Sequence, residues 1–183
     1  MIIGRQLLVS LALLLAGLAP GASAQPAQAP DNYEAVAGKL RIIHFWSTEP
    51  EKIAAALARS DGSPLTMART AERNQKIQQF ILYANCQRDP DDKCWLSAVV
   101  DITAPDGTPY GEQLQFDALP LGPAVPRDTI GRAPASIGLI IEDGEQLGRY
   151  RIKLAVTDEI AVQTATSVVH IDIVEAGTLT SGK

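Results

Sequence analysis

The chain has 183 residues, with 16 lysines and arginines against 21 aspartates and glutamates, a net charge of −5. An acidic chain whose cations are scattered is a poor partner for nucleic acid or an anionic membrane surface. The length is enough for one domain with its own core.

Met1–Gln6 carries one positive charge, Arg5, and Leu7–Leu18 is apolar. Pro20, Gly21 and the small triplet Ala22-Ser23-Ala24 follow. This is the pattern of a secretory signal peptide, residues 1–24, cleaved after Ala24. The apolar run is short for a membrane span, and no second run of that length follows. No cysteine at the cleavage site could take a lipid, and no arginine pair marks a twin-arginine signal. The expectation is an exported, periplasmic protein in oxidising surroundings, with no transmembrane segment after cleavage. Gln25–Asp31 is rich in Pro, Ala and Gln and reads as a flexible leader, which a domain boundary at 39 extends to 25–38. The domain then runs over 39–175, and 176–183 is a polar tail.

Leu40–Trp46 (LRIIHFW) is a first strand. Thr48 followed by Glu51, with Pro50 between them, is a helix-start signal. Glu51–Arg59 is a short helix with Ile53 and Leu57 one turn apart, stopped by Gly62 and Pro64. Leu65–Gln75 is a connection with room for a strand.

Phe80–Ile102 reads as a hairpin. Side chains alternate along a strand, so Phe80, Leu82, Ala84 and Cys86 share one face. Cys94, Leu96, Ala98, Val100 and Ile102 share the corresponding face of the second strand. The Gln87–Lys93 loop brings Cys86 opposite Cys94, where a disulfide is geometrically reasonable and is expected to add about 2–3 kcal/mol. Two free thiols or half of a metal site are the alternatives, and the spacing without supporting histidines makes a poor zinc set.

Pro105-Asp106-Gly107 is a turn, Gln113–Phe116 a short strand, and Leu119–Pro134 a long surface crossing rich in Pro and Gly. Ile137–Glu142, Tyr150–Thr157 and Val162–Val174 are strands. On the last, Ala165, Ser167, Val169, Ile171 and Ile173 point inward, with His170 and Asp172 outside. Short alternating strands between turn signals, with one minor helix, specify an all-β fold, an Ig-like antiparallel β-sandwich. Gly148-Arg149-Tyr150 has the form of a tyrosine corner centred on Tyr150.

The PDG at 105–107 followed by GRYRIKLAVTD at 148–158 resembles bacterial Ig-like, macroglobulin-type modules. The longer frame, Phe80 to Val174, is similar to exported proteins of Gram-negative bacteria. The resemblance implies a fold and no activity, and Ile152 stands where an antibody-type domain has its second cysteine.

No catalytic, metal or cofactor motif is present. Asp89-Pro90-Asp91-Asp92 could offer oxygens to calcium but lacks the glycine and the closing glutamate of an EF-hand loop. His44 and His170 are the only histidines, without ligand spacing. No serine sits in a nucleophile elbow, and there is no phosphate-binding glycine loop. What does call for explanation is the second face of the hairpin. There Ile81, Tyr83, Trp95 and Val99 point away from the core row as a candidate interaction patch. Either the short helix or the Leu40–Trp46 segment covers it, or it receives a partner. Two function classes stay open: a non-enzymatic periplasmic protein-binding domain without cofactor, and a hydrolase whose site is assembled from loops.

Overall fold

The structure is a computed structural model and describes residues 31–59, 65–127 and 129–179. The expected signal peptide with its cleavage after Ala24, and the helix stop at Gly62 and Pro64, lie outside the described residues.

Two sheets pack face to face. The back sheet contains β1 (Glu34–Ala37), β2 (Leu40–Ser47), β4 (Ile77–Ala84), β7 (Gly131–Arg132) and β8 (Gly138–Leu139). Its order is β1-β2-β4, and both β7 and β8 pair with the remaining edge of β4. The front sheet runs β3 (Thr70–Glu72), β10 (Gln163–Val174), β9 (Gly148–Asp158), β5 (Lys93–Thr103), β6 (Leu114–Pro123). Neighbours are antiparallel except β3, which runs parallel to the last strand β10. At the corner into β9 the Tyr150 hydroxyl donates to the carbonyl of Gln146, four residues upstream, at 2.8 Å. Face-to-face antiparallel sheets, an edge strand parallel to the last one, and this corner define an Ig-like β-sandwich.

The inner faces explain the clean alternation of the last strands. Tyr150, Ile152, Leu154 and Val156 of β9 and Ala165, Val169, Ile171 and Ile173 of β10 are buried against the β5 row Cys94, Leu96, Ala98 and Val100. From the back sheet Leu40, Ile42, Trp46, Ile77, Ile81 and Tyr83 meet them. Helix α1 (Pro50–Arg59) covers the other side of the back sheet, where Ile53 and Leu57 pack with Phe45, Phe80 and Leu82. The rings of Phe45 and Phe80 stack at 5.3 Å. At the start of α1 the Ser47 hydroxyl accepts from the Glu49 N–H, and the Ile53 N–H reaches the Glu49 carbonyl. The cap position is therefore Glu49 rather than Thr48.

Several expectations need correction. β4 and β5 do not form a hairpin: each lies in a different sheet, and the chain between them arches from back to front. The parity assigned to β4 was inverted. β4 is buried on both faces, by the front sheet and by α1, so its apolar run carries no signal for which side faces the main core. Ile81 and Tyr83 point into the sandwich, and Phe80 and Leu82 point to the helix. Cys86 nonetheless reaches the main core, because Asn85 adopts φ +58° and breaks the alternation between them.

The leader expected over 25–38 joins the fold from Asp31 onward. Asn32 exchanges backbone hydrogen bonds with Val168, and the Tyr33 carbonyl accepts from the His44 N–H, so these residues tie both sheets before β1 begins. β6 extends through Pro123 into the expected crossing. Its prolines are tolerated because an edge strand leaves one side of its backbone unpaired. Ile137–Glu142 keeps only the two-residue β8, and β10 begins at Gln163, since Val162 takes φ +53° in the preceding turn.

Candidate functional site

The outer face of the front sheet is the sandwich's second large surface, and α1 lies on the opposite layer. β5 presents Trp95, Ser97, Val99 and Asp101 there, and β9 presents Ala155 beside Val99 and Lys153 beside Asp101. Beyond β9 stand Thr164 and Thr166 of β10, both exposed. Trp95 is 39% exposed at one end of this face, and its indole N–H donates to Asp117 Oδ1 of β6 at 2.9 Å. The Ser97 hydroxyl donates to the carboxylate of Glu159, and Lys153 lies 3.7 Å from Asp101. The face is thus a mixed surface of small, hydroxyl and oppositely charged side chains, bordered by one large aromatic.

The four residues expected to form one patch are divided between two places. Trp95 and Val99 stand on this outer face, whereas Ile81 and Tyr83 are 1% and 2% exposed inside the sandwich. Tyr83 packs its ring against Gly131 of β7, where a Cβ would come within 2.7 Å of the ring. Neither α1 nor β2 covers Trp95. The reading failed because it placed β4 beside β5 in one sheet.

The two histidines serve different layers and do not meet. His44, fully buried on β2, spans the interior to Ser167 of β10, with 3.0 Å between Nδ1 and the hydroxyl. The Trp46 indole donates to His44 Nε2 at 3.0 Å, and the Gln79 amide nitrogen lies 3.2 Å from the same atom. Nε2 must therefore be the acceptor and Nδ1 the donor, so the ring points a proton at Ser167 instead of drawing one from it. Burial pushes the His44 pKa down to about 3 and keeps the ring neutral. Gln79 Oε1 is buried without a partner.

His170 sits on the far side of the front sheet. Its Nδ1–H donates to Asp31 Oδ1 at 2.6 Å, and its backbone N–H donates to the same oxygen at 3.0 Å. The Tyr33 hydroxyl and Arg69 hold the other oxygen at 2.5 Å and 3.1 Å. Burial pushes the Asp31 pKa up, but the hydrogen bonds from Tyr33 and His170 outweigh it and hold the carboxyl below its usual range. Burial, with the Asp31 acceptor, raises Tyr33 to about 12. This cluster fastens the entering chain onto β10. Its only trace in the sequence is the proximity of Asp31 to Tyr33.

At the end of the sandwich where β4 arches into β5, Cys86 and Cys94 are disulfide-bonded, with Cα atoms 6.1 Å apart. The bond joins the back sheet to the front sheet. The acids of this loop are engaged within it: Asp89 Oδ1 accepts from the N–H groups of Asp91 and Lys93, and Asp92 and Asp91 pair with Arg88 and Lys93. They do not converge on a common point as calcium ligands would. Beside the loop lies an open cleft of about 450 Å³.

No protein-family model and no curated protein matches the chain. Among solved structures, the CARDB domain of a Pyrococcus furiosus protein in complex with di-metal ions aligns at 17% identity and TM-score 0.36, over 58% of this chain and 81% of that one. A Niemann-Pick type C2 protein from the Japanese carpenter ant aligns at 10% identity and TM-score 0.38, over 79% and 96%. A family 123 glycoside hydrolase from Clostridium perfringens aligns at 11% identity and TM-score 0.40, over 73% of this chain and 27% of the enzyme.

Proposed function

We propose that this chain is an exported, periplasmic, non-enzymatic binding domain related to the macroglobulin-type Ig-like modules, which engages a protein partner through the outer face of its front sheet. The observation that carries the reading is the asymmetry of the two layers. Helix α1 covers the back sheet, while the front sheet leaves a flat face with a half-exposed tryptophan at its border. Tryptophan is the residue type most enriched among interface anchors. The residue 1–24 pattern and the disulfide support export. The neutral, proton-donating His44 and the strapped His170 support a role without catalysis.

The test places a photo-crosslinking side chain at Thr166 on the front face and, as a control, at Glu51 on α1. The expected result is one reproducible adduct from Thr166, of identified partner, that disappears in the Trp95→Ala background. Adducts equally frequent from both positions, or unchanged by Trp95→Ala, would refute the proposal.

A further inference from the structure

The cleft beside the disulfide shows a charge imbalance that folding does not use. Its walls are the β1–β2 turn at Lys39, the β4–β5 arch from Asn85 to Asp92, and the segment Val125–Arg127 after β6. The last two of these walls are fixed to each other. Arg88 donates to Asp92 Oδ1 at 2.6 Å and to the Val125 carbonyl at 2.7 Å, and the Ala124 N–H reaches the Asp92 carbonyl at 3.1 Å. Cys86, disulfide-bonded to Cys94, forms part of the lining. The cleft is therefore a preorganised feature of the fold rather than a gap between loose loops.

The acids around it are already occupied. Asp89 caps backbone N–H groups of its own loop, and Asp92 holds Arg88. In the adjoining hollow Asp158 accepts from the backbone N–H groups of Gln87, Ile160 and Ala161. Lys39 and Arg127 line the cleft with no acidic partner among the described residues. On a chain of net charge −5, the lining carries Lys39, Arg88 and Arg127 against Asp89 and Asp92, a local excess of one positive charge against the overall sign. The amide side chains of Asn85 and Gln87 stand in the same lining and offer neutral donors and acceptors. A volume of about 450 Å³ suits a small molecule.

We infer that this cleft binds a small organic anion, with Lys39 and Arg127 engaging its carboxylate or phosphate group. The site is independent of the front-sheet face, so either can fail without the other. Charge-assisted bonds to carboxylate and phosphate share the same chemistry, and Arg127 can engage either in bidentate fashion.

The test titrates citrate and, separately, glycerol phosphate into the mature protein while amide and side-chain resonances are followed by NMR. Saturable shifts are expected at Lys39, Asn85, Gln87 and Arg127, for one probe or both, the responding probe naming the acid. Lys39→Gln with Arg127→Gln should weaken binding at least about tenfold, the scale of one lost charge-assisted bond. Lys76→Gln with Arg151→Gln removes two cations that have no acidic partner among the described residues and lie outside the cleft, and should leave affinity unchanged. All four residues are exposed, so the variants are expected to fold. Equal weakening by both pairs would mean diffuse charge attraction and overturn the assignment. So would the absence of saturation with either probe, or shifts centred away from the cleft.

Discussion

Lowering the pH below neutrality should destabilise this fold through one residue, His44. The ring is fully buried among Trp46, Gln79 and Ser167, all neutral, and its folded-state pKa is about 3 against 6.5 in an unfolded chain. Between those values the unfolded state binds a proton that the folded state refuses. Stability is therefore intact above pH 6.5 and falls as the pH drops toward 3. Each pH unit in that window costs about 1.4 kcal/mol, and the titration integrated from pH 7 to pH 5 gives a loss of about 2 kcal/mol. In urea this moves the unfolding midpoint by roughly 1 M. Asp31, held below the usual carboxylate range, stabilises above its unfolded value of 3.8 and loses that contribution only below it. The two windows are thus separable. Urea melts at pH 7, 6 and 5 on the parent and on His44→Gln decide the matter. Glutamine can still accept from the Trp46 indole but cannot take up a proton. Parallel loss in parent and variant between pH 7 and 5 would refute the reasoning.

Reduction of the disulfide, or Cys86→Ser, should cost about 2–5 kcal/mol, measured by chemical denaturation with and without reductant. Unchanged stability on reduction would mean that the staple between sheets does no thermodynamic work. Gly131→Ala should destabilise by about 1–3 kcal/mol, because the new methyl meets the buried ring of Tyr83, and a thermal melt superimposing on the parent would contradict that packing. Trp95→Ala should stay within about 1 kcal/mol of the parent in a urea melt, since the indole is half-exposed and Asp117 can turn to water. A loss of about 3 kcal/mol would place Trp95 under a cover that the structure does not contain.

What could be read from the sequence follows from which strands have one wet side. β9 and β10 alternate cleanly because their outer faces meet solvent, and the inward row of β10 was assigned correctly residue by residue. The same holds for β5 from Cys94 to Val100. The fold class and the Tyr150 corner came from these strands and from turn residues between them. β4 could not be oriented, because a strand buried on both sides offers no alternation to read. The partner of β5 was misjudged for a related reason. A seven-residue connection is compatible with a hairpin and with an arch between layers, and the cysteines satisfy either. The site fared worse. Val99 and Trp95 were placed correctly as outward on β5, but joining them to Ile81 and Tyr83 required the wrong neighbour. Lys39 and Arg127 lie far apart in sequence, and only the arrangement of three connections at one end of the sandwich brings them to a common cleft.

The placement of the disulfide bears on how the chain is made. Cys86 and Cys94 are only eight positions apart, yet they belong to different layers. A ring that local can close once the arch between β4 and β5 has formed, before Gly148–Val174 has taken its place in the front sheet. Those later residues are β10 and β9, which fill the middle of the front sheet between β3 and β5. A chain halted before them would carry an oxidised cysteine pair and still leave β5 with an open edge where β9 pairs. Thiol status therefore reports that the arch has formed, not that the sandwich has closed, and an assay of free cysteines would score an unfinished sandwich as complete.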